Sequence, residues 1–299
     1  MVLKIMIIGL IIVGIYYAVV LLKDVNKVKK EGKLEKKGRW WEFGIIAVVV
    51  NFLDSLGIGN YATTTAAFKF GKLVDDRIIP GTLNTCSSII MIVEAIVYMG
   101  IIQVQTLTLV PMIVAGTIGA YLSAGIVSKL PKRKIEVAMG AALIVVAFIT
   151  LAGLLGFMPA GGDATGLTGW RLAVAVAIEF FLGALMTIGI GSYAPCLAVV
   201  SMLGMSPKVA FPIMMGACAY LMPVCSVKFV KEGSYNRKAS FWMNIFGVIG
   251  VLIAAYLVKE MNIRTPKWII ICVMIYTSLT MFKSAKETKL AESKQTVTS

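Results

Sequence analysis

The chain has 299 residues, 59% of them hydrophobic, with a mean hydropathy of +0.87, no His and a formal net charge of +14. That is more apolar surface than a soluble fold of this length can bury, so the chain reads as a bilayer protein. Without His the commonest metal ligand and general base are missing, and no HExxH, GxSxG, P-loop or GxGxxG-plus-acid pattern occurs, so no catalytic residue, metal site or cofactor is assigned.

Apolar runs of about 20 residues predict membrane spans near 2–22, 80–100, 106–127, 135–158, 210–230, 239–258 and 268–282. The first has only Lys4 ahead of it, no small-residue cleavage site, and a basic stretch, 23–39, behind it. It is expected to be a retained N-terminal anchor (1–22) with its N-terminus outside, followed by a basic cytoplasmic linker (23–42) that can include a short surface helix. Repeat 1 (43–158), an inter-repeat loop (159–170), repeat 2 (171–282) and a polar, mobile cytoplasmic tail (283–299) follow. The Lys and Arg residues sit in short clusters between the spans, a pattern of flanks facing anionic lipid and not of a nucleic-acid surface. The five cysteines, Cys86, Cys196, Cys218, Cys225 and Cys272, lie in apolar segments without a CxxC pair and read as packing thiols. Trp40, Trp41, Trp170 and Trp268 fall at segment ends, as an interfacial belt requires.

The two regions 43–70 and 172–204 are interrupted, and the interruptions match. Gly57-Ile58-Gly59-Asn60-Tyr61-Ala62 returns as Gly189-Ile190-Gly191-Ser192-Tyr193-Ala194, and the same offset of 132 superposes Pro80 on Pro212 and Cys86 on Cys218. An offset of 131 pairs Gly116-Thr117-Ile118-Gly119 with Gly247-Val248-Ile249-Gly250. The chain is a tandem duplication, and repeated halves with helix breaks in register point to a binding site where the halves meet. Gly116, Gly119, Gly247 and Gly250 read instead as helix-packing glycines.

Each broken region can be drawn as a kinked crossing or as a re-entrant hairpin. Straight crossings put 17 basic residues inside and 12 outside, whereas hairpins put 23 inside and 6 outside, so the positive-inside rule favours hairpins. Three crossings and one hairpin make an odd number per repeat, so the second half is inverted relative to the first. The fold class expected is therefore an all-α polytopic membrane protein of two inverted repeats, each a broken, re-entrant hairpin plus three transmembrane helices, with one extra N-terminal helix. It is a multi-pass cell-membrane protein with a cytoplasmic tail.

After each Gly-Ile-Gly the sequence reads as a helix restarting, with Asn60 or Ser192 at the N-cap and Pro195 tolerated in the first turn. Free backbone N–H groups, the positive end of the helix dipole and glycines that admit close approach suit a small anion. Gly57, Gly59, Asn60, Tyr61, Thr63, Thr64, Gly189, Gly191, Ser192, Tyr193 and Cys196 are the candidate substrate-binding residues, with Thr65 nearby. The intramembrane acids Asp54, Glu94 and Glu179 are the candidates for carrying a coupling proton or cation, and Asp54, three residues before Gly57, stands nearest the break. Lys228 reads as snorkelling to the interface.

With Pro195 four residues after Gly191, the stretch 206–210 (SPKVA) and the glycine-spaced third segment of each half, residues 43–282 resemble the TauE/SafE sulfite-exporter family, the toluene-sulfonate uptake permeases. Asn60, Tyr61, Ser192 and Tyr193 replace glycines usual in that family, Thr63 stands where repeat 2 has Pro195, and the span 2–22 is an addition to its eight-segment pattern. The resemblance implies transport of small, commonly sulfur-containing anions such as sulfite, sulfonates or sulfoacetate. The reading is a secondary transporter working by alternating access. The alternatives are a passive anion channel using the same tips and, from another class, a membrane-embedded enzyme or an assembly factor.

Overall fold

The computed structural model describes residues 2–56, 59–99, 103–157, 161–257 and 264–297. They are α1 (Val2–Lys30), α2 (Trp40–Ser55), α3 (Asn60–Gly71), α4 (Ile79–Met99), α5 (Thr106–Val127), α6 (Lys132–Leu154), α7 (Gly169–Met186), α8 (Tyr193–Met202), α9 (Ala210–Lys231), α10 (Arg237–Leu257) and α11 (Arg264–Val297). Single 3-10 turns precede α4 and α9, and no strand occurs among the described residues. Among the described residues, seven helices, α1, α4, α5, α6, α7, α9 and α10, are long and apolar enough to cross a membrane.

Two predicted boundaries move. The helix that begins the chain runs past the predicted span end near residue 22 to Lys30, so the first eight residues of the basic linker are helical. α11 likewise runs past the predicted span end at residue 282, through the polar tail to Val297. No Gly or Pro intervenes in either extension, and the second is rich in the good helix formers Lys, Ala, Glu and Leu.

The chain doubles back at both breaks. Phe43 at the start of α2 and Phe68 near the end of α3 are edge-to-face, with ring centroids 6.4 Å apart. An unbroken helix would separate them by about 37 Å at 1.5 Å per residue. At the second break, the residues preceding α7 pair with those following α8: Gly162 N–H donates to Met205 O at 3.1 Å and Ser206 N–H to Ala164 O at 2.9 Å.

Packing repeats with the sequence. A Cβ on Gly119 of α5 would collide with the Phe180 carbonyl of α7, and one on Gly250 of α10 with the Val48 carbonyl of α2. Phe180 is Val48 displaced by 132, so the α5–α7 and α10–α2 seams are one interface used twice. Gly116 against Gly183 and Gly247 against Asn51 repeat the relation, which supports the packing role assigned to these glycines. The α5–α9 and α10–α4 contacts are likewise each other's counterparts, while two further contacts pair an element with its own counterpart. In α4–α9, Gly81 lies against Phe229 while Asn84 lies 3.3 Å from Cys225 Sγ, so the helices run antiparallel. In α6–α11, Gly140 lies against Phe282 and Glu136 accepts from Thr288, again antiparallel.

α4 and α9 are the most enclosed spans, each 83% buried against 22% for α1 and 28% for α6 and α7, so they form the centre. Their polar side chains can therefore avoid lipid. Thr82, Asn84, Thr85, Ser87, Ser88 and Glu94 on α4 are all at most 3% exposed and bond to neighbouring helices, as when Thr85 meets Ser240 at 2.6 Å and Ser88 meets Ser226 at 3.0 Å. α1 is tied to this centre: Tyr17 O–H donates to Thr85 O, Tyr220 O–H to Met6 O, and Arg237 bonds Asp24 at 2.8 Å.

Candidate functional site

The two breaks meet. The α-carbon of Gly191 faces Tyr61, whose Cβ would lie 3.9 Å from a Cβ built there, and Gly189 faces Leu83 of α4 and Met139 of α6. One amide joins four helices at this point. Asn84 Oδ1 accepts from Tyr61 O–H at 2.9 Å and from the Cys225 thiol at 3.3 Å, and its Nδ2 donates to Pro80 O at 2.9 Å and to Met186 O, at the end of α7, at 3.3 Å. Tyr61, Cys196, Cys218 and Cys225 are all at most 4% exposed, so this centre is closed to lipid.

At the first tip Gly59 has φ +86, a conformation that suits glycine, and a Cβ there would meet nothing within 4 Å. Gly59, and not Asn60, is the N-cap of α3, a correction to the expected cap. Because the left-handed residue makes the turn, Asn60 already enters the helix and its amide points sideways, 3.4 Å from both Asn51 Oδ1 and Ser87 Oγ. The backbone N–H of Asn60 instead faces the Asp54 carboxylate. Thr63 and Thr65 donate to the backbone of their own helix, at Asn60 O and Tyr61 O, and Thr64 is 1% exposed. Gly57 lies outside the described residues.

At the second tip Gly189 has φ +102 and Ser192 does occupy the N-cap, but its hydroxyl lies 3.6 Å from Cys218 Sγ and makes no capping bond. Cys218 in turn lies 3.7 Å from Met186 Sδ. Among the described residues, neither the N-cap of α8 nor that of α3 makes a side-chain capping bond, so the first amides of both helices lack that partner. The side chain of Tyr193 is outside the described residues, and Cys196 is fully buried one turn into α8.

The acids divide. Ser55, next to Asp54, donates to Glu94 Oε1 at 2.7 Å, so Asp54 and Glu94 both stand behind the first tip. Glu94 is fully buried and its Oε2 has no hydrogen-bond partner. Glu179, 3% exposed, lies elsewhere, at the α5–α7 seam against Gly116. Thr187 bonds Ser123 of α5. Sequence reasoning passed over Asn51, Ser55, Asn84 and Ser87. Their signal was available: uncharged amide and hydroxyl groups inside apolar spans, which need partners as buried acids do.

Of known protein families, the sulfite exporter TauE/SafE family model matches residues 1–150. The match begins at the first residue, so the N-terminal helix read as an addition to the family pattern falls within it. Comparison with curated proteins and with solved structures gives no match.

Proposed function

The chain belongs to the sulfite exporter TauE/SafE family, and we propose that it is a secondary transporter of a small anion, one carrying a sulfur oxyanion group such as sulfite, a sulfonate or sulfoacetate. The observation that carries this reading is the meeting of two helix breaks at Tyr61 and Gly191 around the Asn84 amide. The anion binds at the second tip, where the uncapped amides of α8 and the close-approach glycines Gly189 and Gly191 offer N–H groups without a full positive charge. Asn60, Tyr61 and Ser192 complete the polar surround. Asp54, which faces the first tip, carries the coupling proton or cation with Glu94 behind it. Alternating exposure follows from rocking of the two halves about the α4–α9 contact. A passive channel would use the same tips with no role for Asp54.

The inverted, re-entrant arrangement is part of the proposal. It is supported by the doubling back at each break and by the antiparallel packing of α4 on α9 and α6 on α11. A twofold relation that makes two spanning helices antiparallel has its axis across them, in the membrane plane. Cysteines placed at Lys72 and Lys132 are expected to label from the cytoplasm and one at Asp163 from outside; labelling of the first two from outside refutes the inversion.

The functional test is binding to the purified protein followed by flux in reconstituted vesicles. Sulfite, sulfonates and sulfoacetate are each expected to raise the melting temperature, by an amount equivalent to about 2.7 kcal/mol at a hundredfold excess over Kd, with sulfate, thiosulfate and carboxylates as the comparison set. A wild-type protein that binds none of the sulfur oxyanions overturns the substrate class. One that binds but never accumulates the anion against its gradient is the channel.

A further inference from the structure

A cavity of about 500 Å³ opens at the base of the first hairpin, between the linker that follows α1, the end of α3 and the start of α6. Five lysines line it: Lys36, Lys37, Lys69, Lys72 and Lys132. Three acids line it too, and each is already engaged. Asp76 holds Lys69 at 2.7 Å, Asp75 accepts from the Arg77 N–H and lies 3.5 Å from Lys132, and Glu35 accepts from the Arg237 N–H and lies 3.6 Å from its guanidinium. None of the ion pairs among the described residues involves Lys36, Lys37 or Lys72. The crevice therefore carries three uncompensated ammonium groups around a space with room for a ligand.

Lys72 is kept there against local preference. It has φ 49 and ψ 38, left-handed backbone, and among the described residues no other non-glycine has a positive φ. The corresponding residue of the second half, 132 positions on, is Gly204 with φ +88, so the same corner follows α8. Glycine makes that corner without steric cost, whereas a side chain adds about 1 kcal/mol. The rest of the set is also confined to one half: the offset carries Lys36, Lys37 and Lys69 to Thr168, Gly169 and Ser201. A requirement of the fold would apply to both corners. A requirement for positive charge applies to one.

We propose that this crevice is a binding site for a multivalent phosphate ligand, held by Lys36, Lys37 and Lys72, separate from the transport site and independent of which anion is transported. Ammonium groups bind phosphate as point charges, and three of them match a ligand of two or more negative charges better than a monoanionic sulfonate. Such a ligand would bridge the linker to the base of the first hairpin. The phosphates can belong to a soluble anion or to a lipid headgroup, and both are tested below.

Purified full-length protein is melted with and without inorganic pyrophosphate at matched ionic strength, and separately in nanodiscs with and without cardiolipin. Stabilisation by pyrophosphate identifies a soluble ligand, and stabilisation by cardiolipin alone a headgroup. Kd is expected to rise by about tenfold for each lysine replaced in Lys36→Gln, Lys37→Gln and Lys72→Gln. Lys72→Gly separates binding from folding: without ligand it is expected to melt about 2 °C higher than wild type, because the strain is relieved, while its ligand-induced shift shrinks. No stabilisation by either probe, a shift that persists undiminished in the triple lysine variant, or a Lys72→Gly protein that melts lower than wild type without ligand overturns the proposal.

Discussion

The two tips share the frame Gly-Ile-Gly-x-Tyr-Ala, yet the side chains behind them differ in kind. Asp54 and Glu94 at the first correspond, 132 positions on, to Met186 and Ser226 at the second. The first tip turns its helix start toward its own carboxylate, whereas at the second, among the described residues, the N-cap Ser192 makes no capping bond to α8. Duplication supplied two similar helix starts, and the proposed division of labour, a proton or cation at one tip and an anion at the other, rests on changes at two positions behind them. The same offset links Thr63 to Pro195: the threonine returns its hydroxyl to the backbone of α3, while the proline presents no N–H at all.

The largest effect that bears on this contrast is expected at Gly191. Gly191→Trp places a ring where Tyr61 now lies and is expected to cut uptake by ~100-fold or more with the protein still in the membrane, since small displacements of a binding group carry penalties of that size. Gly59→Ala faces open space and is expected to cost about 1–2 kcal/mol of stability through its φ of +86, with substrate binding retained. Equal losses of uptake at both glycines would remove the distinction between the tips.

Next come the paired seams. Gly119→Val and Gly250→Val each drive a side chain into a backbone carbonyl and are expected to lower stability by about 1–3 kcal/mol, to similar extents, in thermal melts of the purified protein. A large disparity would mean that the two halves are less alike in energy than in geometry. Asp54→Asn keeps the size of the side chain and removes its charge. Flux driven by a proton or cation gradient is expected to fall to the level of the ungradiented control, while sulfur-oxyanion binding at the second tip changes by less than about threefold; gradient-driven accumulation that survives excludes Asp54. The smallest effect is expected at Lys228, whose Nζ stands 4.8 Å from the Tyr121 ring centroid, so that Lys228→Met costs about 0.5–1 kcal/mol.

Much of this arrangement was legible in the sequence because it rests on backbone conformation and periodicity. The positive-φ glycines, the two breaks and the small-residue seams each leave a residue type at a fixed spacing. Side-chain direction at the tips does not. Whether Asn60 caps α3 or enters it depends on which residue turns left-handed, and Gly59 and Asn60 are both plausible from spacing alone. The partners of Asn84 come from α3, α7 and α9, and no local pattern tells a buried amide which helices it will join. Polarity marks where a helix leaves the bilayer, not where it stops being a helix, so α1 and α11 run past the predicted ends of their spans.

α1 has no counterpart in the second half, and it is fastened to both: to α4 through Tyr17, to α9 through Tyr220 and to the start of α10 through Asp24. Two identical halves would make the outward- and inward-facing conformations degenerate, each the image of the other. An unpaired helix bonded across the symmetry lifts that degeneracy. If the proposed alternating-access cycle operates, the empty carrier would rest on one side of it, with the free-energy gap between its two faces set by bonds remote from the anion, so that resting orientation and substrate affinity could be altered independently.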